Sequence, residues 1–189
     1  SASTKTIDAL NTFLRTVKGQ PGLRSKIKRL NLFCGSNLAT SLIPLIADAG
    51  SAVDTNYNFI SSDYSETSGL NPGGSGNKYL DVGIDFTSSG ISFADGHMAI
   101  NTLGANTSTG YKEWMGKSFA SMGCNLTSRK YHFRWGNHFL AASNINPQEG
   151  TSMGFYLGSA SSSKISFFLN NDLKVEKDIE STTADTADV

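Results

Sequence analysis

The chain has 189 residues, and its 16 basic and 16 acidic side chains cancel at neutral pH. A domain of this size buries roughly 70% of its unfolded surface, so it needs no disulfide or metal to fold. Because there is no excess of positive charge and no apolar run of roughly 18 residues, neither nucleic acid nor a membrane is an expected partner.

An amphipathic helix is predicted at the start of the chain. Thr6 is a suitable N-cap residue, and the break at Gly19 and Pro21 ends the helical pattern. The apolar side chains that recur at helical spacing are Ile7, Leu10, Phe13, Leu14 and Val17. Because such a stripe is seldom left in water, we expect the helix to pack on its own domain or on a neighbouring chain.

After the helix, the spacing of apolar residues changes to that of strands. Leu30, Leu32 and Cys34 lie at alternate positions, which predicts a strand with the Cys34 thiol facing inward. A short helix is predicted over Leu38–Ile43, with Ser36 as its cap, because Pro44 limits it to about two turns.

The clearest strand lies in the middle of the chain, where four apolar residues alternate with polar residues or glycine: Leu80, Val82, Ile84 and Phe86. Similar alternation predicts strands containing Tyr131, Phe133 and Trp135, and then Met153, Phe155 and Leu157, with these side chains facing a core. Weaker candidates are Tyr57–Ile60, Met98–Leu103 and His138–Ala142. The last two strands, Ile165–Leu169 and Leu173–Lys177, are predicted to form a hairpin with a three-residue loop, Asn170–Asp172.

Many short strands separated by polar turns predict a mainly β protein. We expect an antiparallel β-sandwich of the jelly-roll, concanavalin A-like class with a short N-terminal helix. The predicted organisation is an N-terminal helical attachment segment over residues 1–22, a β-sandwich domain over residues 23–179, and an acidic flexible tail over residues 180–189.

The sequence offers only weak candidates for a metal site. Asp54, Asn56 and Asn58 match the first ligands of an EF-hand loop, but Phe59 and Ser65 replace its glycine and its glutamate. A calcium site assembled from separate loops is left open, and its candidate ligands are Asp54, Asp63, Asp81 and Asp95. His97, His132 and His138 lack zinc spacing, and no other cofactor is expected.

Catalytic signals are equally weak, and an enzyme is not expected. Gly150, Ser152 and Gly154 match the Gly-x-Ser-x-Gly pattern of a nucleophile elbow. The match is treated as chance, because a strand pattern and not a helix follows Ser152. A glycosidase needs two carboxyl groups roughly 5 to 9 Å apart. The isolated positions of Glu66, Glu113 and Glu149 do not indicate such a pair, although a glucanase-like glycoside hydrolase is kept as an alternative.

Carbohydrate sites combine an aromatic ring for the apolar face of a sugar with polar groups for its hydroxyls. Three places in the chain have this combination, and their residues are Asp63 with Tyr64, Tyr111 with Trp114, and Trp135 with Asn137 and His138. Trp114 ranks first because its neighbours are polar and its segment has no regular strand period. For each aromatic residue, a place in the core is the alternative.

The stretch from Leu30 to Phe86 resembles a module of bacteriophage tail, fibre and other virion proteins and of bacterial surface proteins. The residues that carry this resemblance are Leu32–Ala39, Asn58–Thr67 and Gly76–Ile84. The hairpin at Ser166–Leu173 is similar to one in concanavalin A-like and laminin-G-like sandwiches. This class usually continues with further strands after the hairpin, whereas an acidic stretch follows it in this chain.

The resemblance implies a virion-surface module, in a tail fibre or decorating a capsid, that binds host cell-surface carbohydrate. It supplies no binding residues. The partners expected on this basis are a host glycan, other virion proteins that contact the N-terminal helix, and further copies of the chain in a homo-oligomer. The alternative outside adhesion and catalysis is a purely structural virion protein that binds no ligand.

Overall fold

The computed structural model describes residues 2–73, 77–86, 88–92, 95–103, 111–117, 120–125, 130–136, 138–142 and 154–179. The chain divides into two compact units, Ser1–Ile91 and Ser92–Val189. The first unit therefore contains the predicted helical segment over residues 1–22 and part of the predicted sandwich domain over residues 23–179. The predicted tail at residues 180–189 lies outside the described residues.

The first unit opens with a helix, α1, over Thr4–Gly19. Its N-cap is Ser3 and not the predicted Thr6, because the Ser3 hydroxyl accepts a hydrogen bond from the Thr6 N–H at 3.2 Å. The same hydroxyl donates to the Glu66 carboxylate at 2.6 Å, which holds the pKa of Glu66 below its usual value. Val17 is buried near the other end. The helix is thus attached to its own unit at its start.

Short elements make up the rest of the first unit. Two helical turns, α2 and α3, span Leu23–Lys26 and Leu38–Ser41, and a 3-10 turn spans Ser61–Asp63. Antiparallel pairs join β1 (Arg29–Leu30) to β2 (Ile46–Ala47), β3 (Thr55–Tyr57) to β6 (Tyr79–Asp81), and β4 (Tyr64–Ser65) to β5 (Gly69–Leu70).

These elements are shorter than the sequence predicted. The side chain of Asn37, not that of Ser36, caps α3 by accepting a hydrogen bond from the Thr40 N–H at 3.0 Å. Strand β6 ends at Asp81, although exposure continues to alternate as far as Phe86. The apolar spacing therefore identified the side chains that face inward, but not how far the backbone pairing extends.

A buried ion pair links β1 to the residue before β3 in the first unit. The guanidinium of Arg29 donates to the Asp54 carboxylate and also to the backbone carbonyls of Ala49 at 3.0 Å and Ser51 at 2.7 Å. The side-chain amide of Asn31 donates to the other oxygen of Asp54. Both oxygens of Asp54 thus contact a cation or an amide of the first unit.

The second unit contains two four-stranded antiparallel sheets in its described part. One has the order β11-β10-β9-β8, and its strands are β8 (Tyr111–Lys117), β9 (Ala120–Asn125), β10 (Lys130–Trp135) and β11 (His138–Ala142). The other has the order β14-β13-β12-β7, and its strands are β7 (Gly96–Thr102), β12 (Gly154–Ala160), β13 (Lys164–Leu169) and β14 (Asp172–Asp178).

The two sheets of the second unit pack through Phe133 on β10. A methyl group placed on Gly158 of β12 would lie 2.2 Å from a ring carbon of Phe133, so the ring lies directly against the opposite backbone. The other fully buried large side chains of this core are Met122, Tyr156, Ile165 and Phe167. His132, which points to the other face of β10, is also buried, and burial lowers its pKa to about 4.

Strand β12 presents the opposite face to the one predicted. Tyr156, Gly158 and Ala160 are buried, whereas Phe155 is exposed. Met153, the other residue of that prediction, lies outside the described residues. The prediction was wrong because it assigned the odd-numbered residues of this strand to the core. Side chains alternate between the two faces of a strand, so burial of the even-numbered residues points all of the predicted ones to the other face.

The final hairpin is confirmed, but its loop has two residues. Leu169 pairs with Asp172, which leaves Asn170 and Asn171 as the loop. Both have positive φ, at 51° and 69°. A two-residue hairpin turn with positive φ at both positions is the type I′ turn, and asparagine accepts this left-handed conformation better than most residues.

The prediction of a mainly β protein with antiparallel sheets and an N-terminal helix is confirmed. Its jelly-roll part is not confirmed. A jelly roll is built of Greek keys, in which long connections place non-consecutive strands side by side. In the described part of the chain most neighbouring strands are consecutive, and the neighbours that are not are β3 with β6 and β7 with β12.

Candidate functional site

The structure places Trp135 in the core of the second unit. The residue is 3% exposed, and its indole N–H donates to the Ser92 carbonyl at 3.3 Å. A methyl group on Gly96 would lie 2.3 Å from the indole ring. The indole is therefore not exposed for stacking on a sugar. Its burial supports the alternative, which is a place in the core.

The other candidates of the second unit do not form one cluster. Tyr111 and Trp114 lie on β8 and His138 on β11, and these strands are the two opposite edges of one sheet. Trp114 falls at an irregularity in the pairing of β8 with β9, in agreement with the absence of a regular period there. Only the backbone of these three residues is described, and Asn137 lies outside the described residues.

Asp63 and Tyr64, in the first unit, make structural contacts. The Asp63 carboxylate accepts a hydrogen bond from the Ile60 N–H at 2.8 Å and pairs with the Lys78 ammonium at 2.6 Å. The Tyr64 hydroxyl donates to the carbonyl of Gly35. Since the polar groups of both side chains are engaged within the unit, the structure gives them a part in organising the turn.

An aromatic pair that the sequence did not single out is exposed on the β3–β6 sheet. Tyr57 and Tyr79 are direct cross-strand partners, and their rings stack with centroids 4.4 Å apart and planes inclined by 10°. Tyr57 is 39% exposed and Tyr79 is 53% exposed. Two stacked rings leave their outer faces and edges in water, and exposed aromatic area of this kind is available to a ligand.

Polar groups accompany this pair on the same face of the sheet. Thr55 and Asp81 form the next cross-strand pair, two residues from Tyr57 and Tyr79 respectively. Side chains two residues apart in a strand leave the same face. Leu80, on the other face, is half-buried. We call the surface formed by Thr55, Tyr57, Tyr79 and Asp81 the tyrosine face.

The turn that follows β3 fixes the position of Tyr57. Asn58 has a positive φ of 68°, and its side-chain amide donates to the Asn77 carbonyl at 2.8 Å. The side chain of Asn56 accepts from the Phe59 N–H at 3.0 Å and donates to the Phe59 carbonyl at 2.9 Å. Phe59 itself is buried. These contacts join the ends of β3 and β6 and hold the two rings in place.

The tyrosine face could have been found from one signal in the sequence. Tyr79 lies two residues before Asp81, so its side chain would lie on the polar face of the clearest predicted strand. Tyr57 was placed in a weaker strand candidate with no partner. Nothing in the sequence aligned these two segments, because 21 residues lie between Tyr57 and Tyr79.

The remaining motifs do not form a second site within the described part of the chain. No group of three His, Cys, Asp or Glu side chains there could hold a metal ion. Cys34 is a free thiol, and burial raises its pKa. Ser152 and Glu149 lie outside the described residues, and for Glu113 only the backbone is described. No described helix is long and apolar enough to cross a bilayer.

Comparison of the chain with protein-family models, with curated proteins and with solved structures gives no match. Evidence for the function of this protein therefore comes from its own residues, chiefly from Tyr57 and Tyr79 of the tyrosine face.

Proposed function

We propose that the protein is a carbohydrate-binding adhesion module of a virion surface, in a tail fibre or on a capsid. The observation that carries the proposal is the stacked, exposed pair of Tyr57 and Tyr79 beside Thr55 and Asp81. The resemblance to phage virion modules supplies the setting, and it includes both strands of this sheet. The finer fold that we propose for the second unit is a lectin-like sandwich of its two sheets.

The tyrosine face has the two kinds of group that a sugar needs. The C–H groups of a pyranose ring pack on an aromatic ring, whereas its hydroxyls require hydrogen-bond partners. Two rigid rings offer contact area at low cost in conformational entropy, because a tyrosine side chain has few rotatable bonds. We therefore assign recognition to the first unit, and not to the aromatic residues that the sequence favoured in the second.

Replacing Tyr79 by alanine is expected to weaken binding to host cells or to an arrayed glycan by about five- to thirtyfold, since loss of one stacking ring removes roughly 1 to 2 kcal/mol. Tyr57→Ala is expected to act in the same direction. The measurement is binding by glycan array followed by calorimetry on the best ligand, with circular dichroism to check folding.

Phe155→Ala is a matched control, because Phe155 is also an exposed aromatic residue but lies in the second unit. Equal losses for Phe155→Ala and Tyr79→Ala would contradict the assignment. Shortening of the bound polysaccharide by the wild-type protein would instead favour the glucanase-like alternative, and we propose that no such activity exists.

We propose further that α1 attaches the module to a neighbouring protein of the particle. Ile7 and Phe13 of its apolar stripe are 45% and 38% exposed. Replacing both by serine is expected to keep a cooperative unfolding transition and to lower stability by about 1 to 2 kcal/mol, because both side chains are only partly buried. The same change should abolish incorporation into particles, measured by immunoblot of purified virions, and normal incorporation would rule out this attachment.

A further inference from the structure

We propose that the tyrosine face selects neutral sugars over acidic ones, and that the Asp81 carboxylate receives two neighbouring hydroxyls of the sugar. This inference rests on the proposed carbohydrate binding and adds to it the chemical class of the ligand. Three features of the β3–β6 sheet support it: the place of Asp81 beside Tyr79, the orientation of its carboxylate, and the charge of the face.

Asp81 stands next to the more exposed of the two rings. It follows Tyr79 by two residues on β6, so the two side chains leave the same face about 7 Å apart along the strand. Both are exposed, whereas Leu80 between them is half-buried. Because each ring covers one face of its partner, a sugar has access to the outer side of Tyr79, and there its hydroxyls come within reach of Asp81.

The carboxylate of Asp81 is fixed in position but keeps free acceptor capacity. Its Oδ1 atom accepts a hydrogen bond from the Gly83 N–H at 2.8 Å. Its Oδ2 atom makes no hydrogen bond to the described residues. An ionised carboxylate has about four acceptor sites, so most of them are available to a ligand. Two adjacent hydroxyls of a sugar can donate to one carboxylate in the bidentate manner that favours strong, directional binding.

The charge of the tyrosine face is negative. Asp81 is the one Asp or Glu among its four residues, and no Lys, Arg or His belongs to the two strands that form it. The nearest basic residue in sequence is Lys78, which directly precedes Tyr79. Neighbouring residues of a strand point to opposite faces, and Lys78 is paired with Asp63. Arg29 is close to this face through Asp54, but its charge is already paired with that carboxylate. A carboxylate or sulfate on the sugar would therefore meet Asp81 with no cation from β3 or β6 beside it, and like charges at such short range repel.

The experiment compares matched neutral and acidic glycans on the full chain. The probes are lactose, sialyllactose and sulfolactose, together with other neutral oligosaccharides and their sialylated or sulfated forms on one array. We expect the neutral member of each bound pair to be preferred by at least about tenfold. Asp81→Asn keeps the shape and one acceptor oxygen, so it should lower neutral binding and reduce the preference. Asp172→Asn, at an exposed carboxylate of the second unit, should change neither.

The outcomes separate this inference from the proposed function. If Tyr79→Ala abolishes binding but Asp81→Asn and Asp81→Ala leave both affinity and preference unchanged, the face binds sugar and the role of Asp81 is refuted. Tighter binding of the acidic glycans, or binding that chelation of calcium abolishes, would also overturn the inference. If Tyr79→Ala leaves binding intact, the tyrosine face itself is not the site, and the proposed function fails at its first step.

Discussion

Replacing Asp54 by alanine is expected to lower the free energy of unfolding by about 3 to 5 kcal/mol. The carboxylate has no exposed surface, and its partner Arg29 is only 8% exposed. Burial raises the pKa of Asp54, although Arg29 and Asn31 act in the opposite direction. Removing the carboxylate would leave the guanidinium buried without its counter-ion, and this uncompensated charge causes most of the loss.

A denaturant titration measures the effect, and the protein has its own control. Arg24 and Asp48 form an ion pair at 2.5 Å with both side chains close to half-exposed. Because solvent screens such a pair, Asp48→Ala should produce only a small fraction of the loss at Asp54. The double variant Arg29→Met/Asp54→Leu should recover part of the stability, since replacing both charges leaves neither unpaired. Equal losses at Asp48 and Asp54 would contradict the buried ion pair.

Gly158→Ala is expected to destabilise the protein by about 3 kcal/mol, the upper part of the range for an overpacked core. The added methyl group would lie 2.2 Å from the Phe133 ring, which has no exposed surface and so no room to move aside. The ring lies between the two sheets of the second unit, so the clash is expected to separate them locally. Thermal or denaturant unfolding measures the loss.

Two further variants test the cause of that loss. Ser159→Ala, on the opposite and half-exposed face of the same strand, should change stability by no more than about 0.5 kcal/mol. Phe133→Leu replaces the ring that the methyl group meets by a smaller side chain. Gly158→Ala should therefore destabilise the protein less in that background than in wild type. Strict additivity of the two changes would show that the sheets do not pack through this contact.

The sequence predicted the kinds of secondary structure better than their contacts. The helix at the start, the strands around Phe133 and Leu140, and the final hairpin follow from apolar spacing and turn residues, which act over a few positions. The face of β12 could not be predicted in the same way. Phe155 and Tyr156 are both apolar enough for a core, and only the fit of Gly158 against Phe133 decides which set faces inward.

The tyrosine face shows the same limit for function. The sequence by itself determined that Leu80 begins an alternating stretch, that the chain is mainly β, and that its charges cancel. Only the tertiary structure decided that Tyr57 stacks on Tyr79, that Trp135 is buried, and that Asp63 pairs with Lys78. The physical reason is that alternation along a strand is a local property, whereas cross-strand register and burial depend on segments far apart in the chain.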